Sequence, residues 1–77
     1  MVREKIILSD VDLKILSFLK EERTITEVMD YFCFYYTQYK THAERIKKYF
    51  NRRKYGNFVF TKLNEDGINL LNVLKWK

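Results

Sequence analysis

Hydrophobic positions in this chain recur mostly at helical spacing, and the gaps between periodic stretches mark the elements. Val11, Ile15, Phe18 and Leu19 fall on one side of a helix, with Leu13 and Leu16 widening the arc. Ser9 followed by Asp12 has the pattern of a capping box, and Asp10 and Asp12 suit the positive end of a helix dipole. A first helix is therefore expected from Asp10 to about Glu22. Thr24 and Ile25 favour extended backbone and predict a very short strand. Thr26 is expected to cap a short second helix that buries Val28, Tyr31 and Phe32 and ends near Cys33.

Phe34-Tyr35-Tyr36 reads as a turn with aromatic anchors, and Thr37 as the cap of a third helix. There Tyr39, Ala43, Ile46 and Phe50 line a narrow apolar stripe, while Thr37, Thr41, Arg45, Lys48 and Arg52 fall opposite. This helix is apolar inside and basic or hydroxylated outside. Tyr55-Gly56-Asn57 marks a turn, followed by a strand from Phe58 to Leu63 whose partner lies around Asn51 to Lys54. Asn64 caps a fourth helix with Glu65 and Asp66 at its positive end. Ile68, Leu70, Leu71, Val73 and Leu74 then cover more than half the circumference, wider than one small core needs. The expected fold is mainly α with a small β-hairpin (α+β), in the order α-(β)-α-α-β-β-α.

Length and composition narrow the class. Seventy-seven residues, 47% hydrophobic and 17% aromatic, make one domain, 1–77, with material for a single core. Apolar runs extend only a few residues, so no segment is expected to cross a membrane. Met1 to Leu8 is charged and does not read as a signal peptide. Cys33 is the single cysteine, which suits a reducing cytoplasm. It is expected to fill the core beside the second helix. No Cys/His cluster has metal spacing, and no cofactor is expected. No nucleophile–base pair or phosphate-cradling glycine loop can be assembled, so an enzyme is not expected.

Charge is the informative quantity. Of the overall +5, residues 1–33 contribute a net −2 and the last fourteen balance. Residues 34–63 carry Lys40, Arg45, Lys47, Lys48, Arg52, Arg53, Lys54 and Lys62 against Glu44 alone. Such concentration points to a polyanion footprint rather than to solubility alone.

The chain from about Asp10 to Lys75 resembles a winged helix-turn-helix transcription regulator. The most specific stretch is Leu63-Asn64-Glu65-Asp66-Gly67-Ile68-Asn69-Leu70-Leu71. It is similar to the Leu-Thr-Glu-x-Gly-x-x-Leu-Leu segment that ends the wing and opens the last helix of many such regulators, with Asn in place of the Thr. Thr24-Ile25-Thr26-Glu27-Val28 resembles the opening of their second helix. Small size, many tyrosines and the lack of proline resemble winged-helix proteins of archaeal viruses and plasmids, which would place the protein in a host cytoplasm. The chain departs from the family in its bulky turn Phe34-Tyr35-Tyr36-Thr37 and its short wing.

The resemblance implies that the third helix enters a major groove of double-stranded DNA while the wing touches the backbone or minor groove. Thr37, Gln38, Lys40, Thr41, Glu44 and Arg45 are then the expected base-edge residues. Lys47, Lys48, Arg52, Arg53 and Lys54 are the expected phosphate contacts, with Tyr55 and Asn57 at the wing tip. A different reading of the same basic face is a module that binds protein or RNA. The run Tyr31 to Tyr36 is assigned to core and turn packing, and His42 to the edge of the apolar stripe. Surplus apolar surface on the fourth helix, on Leu13 and on Ile6-Ile7-Leu8 predicts a homodimer, at least on DNA.

Overall fold

The computed structural model describes residues 8–75. Among them are four α-helices and one three-stranded antiparallel sheet: α1 (Asp10–Phe18), β1 (Arg23–Thr24), α2 (Ile25–Phe32), α3 (Tyr36–Ile46), β2 (Phe50–Tyr55), β3 (Phe58–Leu63) and α4 (Glu65–Leu74). The strands lie in the order β1-β3-β2. The class is α+β, as expected from the pattern of apolar positions. Ile6, Ile7 and Trp76 lie outside the described residues.

The capping box forms at α1. Ser9 N donates to Asp12 at 3.0 Å, and Asp12 N donates to the Ser9 hydroxyl at 3.2 Å. The helix stops at Phe18, well short of Glu22. In a longer helix the Leu19 carbonyl would accept from residue 23, but here it accepts from Leu63 N at 2.9 Å. The end of β3 thus takes the bond that would have extended α1, and the chain turns to lay Arg23 opposite Thr61 and Thr24 opposite Phe60. The short strand is consequently one residue earlier than Thr24-Ile25. Thr24, not Thr26, caps α2 and forms a full box with Glu27, with bonds of 3.0 and 3.1 Å.

α2 buries Val28 and ends at Cys33, which takes the left-handed conformation (φ 57°). Cys33 is therefore exposed at a helix stop rather than filling the core. A residue with a Cβ is strained there, and glycine is not. Cys33→Gly should accordingly stabilise the fold by about 1 kcal/mol, raising the melting temperature by roughly 4–8 °C. Calorimetry that finds a lower melting temperature would refute this account of the turn. Of the neighbouring aromatics Phe32 and Phe34 pack on the core, and Tyr31 lays its ring against Phe18 and Phe32 while staying largely exposed; Tyr35 and Tyr36 are exposed, contrary to the assignment of the whole run to packing.

α3 starts two positions earlier than a Thr37 cap requires, because Gln38 supplies the cap from inside the helix. Its Oε1 accepts from Tyr35 N at 2.9 Å. Tyr39, Ala43 and Ile46 are buried as expected. Phe50 is also buried, but as the first residue of β2, after a 3₁₀ turn at Lys47–Tyr49. Gly56, with φ 60°, begins a two-residue connection between β2 and β3, the pattern of a type II′ hairpin. Asn64 caps α4 by accepting from Gly67 N at 2.9 Å, and its amide also donates to the Lys48 carbonyl at 2.9 Å.

Leu13, Ile15, Leu16, Leu19, Val28 and Ile46 form the centre of the core, flanked by Leu63 and Leu71. Leu13 faces inward, correcting the expectation that it lies on the surplus side; Val11 is the exposed hydrophobic residue of α1. Ile68, Val73 and Leu74 remain exposed on α4.

Candidate nucleic-acid interface

The inner part of the site is a buried ionic cluster between α1 and α3. Asp12 has no side-chain exposure and receives three donors: Ser9 N, His42 Nδ1 at 2.7 Å and Arg45 Nε at 3.1 Å. Burial alone would push its carboxyl up, but the bonds from Ser9, His42 and Arg45, with the charge of Arg45, outweigh that and hold it below 3.8. The short contact to a carboxylate oxygen assigns the His42 proton to Nδ1, since a bare nitrogen would set two lone pairs against each other. The terminal nitrogen of Arg45, 3.2 Å from the same Nδ1, is then a neighbour and not a donor to it. The His42 ring stacks on Phe34 with centroids 5.2 Å apart. His42 is thus a packed histidine, and its partner Asp12 does double duty as helix cap and ion-pair acceptor.

This cluster sorts the expected base-edge residues. Thr37, Lys40, Thr41 and Glu44 are exposed on α3. Arg45 is turned back to Asp12, with 45% of its side chain still open to solvent. Gln38 is engaged in capping, and the Thr41 hydroxyl donates to the Thr37 carbonyl at 3.0 Å. Lys47 reaches Glu44 at 3.6 Å, an exposed pair that holds neither side chain firmly.

The hairpin sorts the expected phosphate contacts in the same way. Strand alternation places Arg52 and Lys54 on the face of buried Phe50, and Arg53 and Tyr55 on the other. Arg52 lies 5.7 Å from the Phe50 ring and near Tyr39 of α3. Burial pushes the Tyr39 hydroxyl up, an effect that the positive charge of Arg52 partly offsets. Arg53 instead binds Glu22 at 3.0 and 3.4 Å. Lys48 extends over the Tyr49 ring at 5.6 Å. Among the described residues, Lys40, Lys48, Arg52 and Lys54 have no carboxylate within salt-bridge distance. Tyr55 and Asn57 are exposed at the end of the hairpin.

Among the described residues no three His, Cys, Asp or Glu side chains are grouped so as to hold a metal ion, and no helix is long and apolar enough to cross a membrane. Compared with known protein families, curated proteins and solved structures, the chain shows no match. Its own geometry must carry the functional reading.

Two features escaped the sequence. The Asp12–His42–Arg45 cluster joins residues some thirty positions apart, and no local pattern announces it. The aromatic outer face of β3 was signalled by Phe58-Val59-Phe60, an alternation that places both phenylalanines on one side.

Proposed function

We propose that the protein is a winged helix-turn-helix regulator that binds double-stranded DNA with sequence specificity, with α3 in the major groove and the β2–β3 hairpin as the wing. The observation that carries this reading is the set Lys40, Lys48, Arg52 and Lys54. These cations come from α3, the turn after it and the α3-side face of the hairpin, and lack carboxylate partners among the described residues. Unneutralised cations of this kind bind phosphates and release counterions. Thr37, Lys40, Thr41 and Glu44 are the base-facing candidates on α3. Arg45 and Gln38 enter mainly as residues that set the pose of the helix. The exposed Ile68, Val73 and Leu74 of α4 support pairing of two copies on one site.

Replacing Lys48, Arg52 and Lys54 together with Ala should weaken binding to every duplex by similar factors. The salt dependence should flatten by roughly 0.9 log unit for each phosphate that is no longer neutralised. Unchanged slopes in titrations at several salt concentrations would remove the assignment. Light scattering on the same complexes counts the copies per site, and one copy at saturation would end the dimer reading.

A further inference from the structure

The cations that carry the duplex reading, Lys40, Lys48, Arg52 and Lys54, leave the outer face of the hairpin over, with Arg53 taken by Glu22. In the β2–β3 register Tyr55 lies opposite Phe58, Arg53 opposite Phe60 and Asn51 opposite Lys62. Opposed residues share a face, and alternation keeps these six apart from Phe50, Thr61 and Leu63, which are buried on the core side. Tyr55 is 68% exposed and Phe58 58% exposed. The Phe58 and Phe60 ring centroids are 6.4 Å apart, and the Arg53 guanidinium lies 4.8 Å from the Phe60 ring centroid. Lys62 is exposed on the same face. Glu22, the carboxylate that reaches this side, is occupied by Arg53 at 3.0 Å.

We infer that this face is a stacking platform for the unpaired bases of a single-stranded nucleic acid. Aromatic side chains left open beside cations accept bases of any sequence, since every base has a π-face, while the cations follow the backbone. The need for a free base face selects the strand state. A base inside a duplex is stacked on both faces and cannot lay one of them on Tyr55 or Phe58. Bases that lie on Tyr55 and Phe58, the two exposed rings of the face, are therefore unpaired ones, as in a single strand. Arg53 covers the Phe60 ring and presents its own planar group there, on which a base can stack. Charge decides against a second copy of the chain as the occupant. Two such faces pressed together would oppose Lys62 to its own counterpart with Glu22 already taken by Arg53, whereas a polyanion neutralises Lys62.

The probe is a fluorescently labelled oligothymidylate of about twelve nucleotides, within the site sizes of single-strand binders, titrated with the full chain and followed by anisotropy. The wild type should bind it, and on the Lys48, Arg52 and Lys54 triple alanine variant, whose duplex face is disabled, an unlabelled duplex of equal length should compete poorly under the same salt conditions. Phe58→Ala should weaken binding roughly five- to a hundredfold, and Tyr55→Ala should act in the same direction. Phe58→Trp should retain binding, because a larger π-face replaces the first. Phe58 is exposed, and circular dichroism of each variant separates a failure to stack from a failure to fold. The inference is overturned if the wild type fails to bind the oligothymidylate, or if Phe58→Ala and Tyr55→Ala both leave the affinity unchanged. Equal competition by the duplex overturns it too, as does sedimentation showing that Phe58→Ala abolishes a dimer. The phosphate triple variant tests the duplex reading separately, so either idea can fail while the other stands.

Discussion

Gly67→Ala should strongly destabilise the protein, although helix propensity alone would favour the change by about 1 kcal/mol. An added Cβ would stand 2.5 Å from Leu63 Cδ1 and 2.8 Å from Leu63 Cγ, and would also collide with the Tyr49 carbonyl oxygen. Neither obstacle yields easily. Leu63 is a core residue, and Tyr49 O is backbone that already accepts from Asn64 N at 3.0 Å. α4 would have to lift from the end of β3 and lose its cap or its seat. Overpacking ordinarily costs about 1–3 kcal/mol, and a clash with backbone belongs above that range. A chain of this size has on the order of 4–12 kcal/mol in total. Urea denaturation of the variant should show a much lower midpoint or no folded baseline. A gain in stability would mean that α4 does not sit against β3 in this way.

Asp12→Ala should cost about 2–4 kcal/mol. Removing one partner of a buried ion pair usually costs roughly 3–5 kcal/mol, and the figure is reduced here because Arg45 is half exposed and partly screened. The substitution strips a cap from α1 and leaves His42 and Arg45 facing an empty acceptor site. It should also change the response to acid. The folded carboxyl is held below its ordinary value near 3.8, so between the two values the unfolded chain binds more protons. The contribution of Asp12 is thus complete above the ordinary value and is lost as the pH falls through it toward the lower folded one. The stability difference between wild type and Asp12→Ala should be constant near neutrality and shrink on acidification. A difference that grows in acid would contradict the cluster.

Much of the fold was legible because its signals are local. Ser9 and Asp12 are three residues apart and cap α1 whatever lies beyond them. Asn64 similarly starts α4. The alternation of Phe58 to Leu63 and the single glycine at 56 suffice for a hairpin. Errors arose where a local signal competed with a distant partner. Both Thr24 and Thr26 can cap a helix, and the pairing of Arg23 and Thr24 with β3 chose between them. The stripe Tyr39, Ala43, Ile46, Phe50 was right about burial and wrong about shape at its last member. A buried position at the right interval does not say whether the backbone has already become a strand.

The candidate site divides along the same line. Its positive charge and its place in residues 34–63 are matters of composition and need no coordinates. Which cations keep their charge available is not, because that depends on carboxylates brought from elsewhere in the chain: Glu22 to Arg53 and Asp12 to Arg45. Helical geometry alone put Arg45 on the outward side, but an arginine is long enough to reach around its helix to a buried acceptor. The sequence by itself determined the element order, the capped starts of α1 and α4, the hairpin and the basic segment, all products of contacts spanning a few residues. The tertiary structure decided where α1 ends, what fills the left-handed stop at Cys33, which basic side chains are neutralised and which aromatics stay in solvent. Those outcomes depend on what the far end of the chain places beside each residue, and a bond such as Leu63 N to Leu19 O has no trace in either neighbourhood alone.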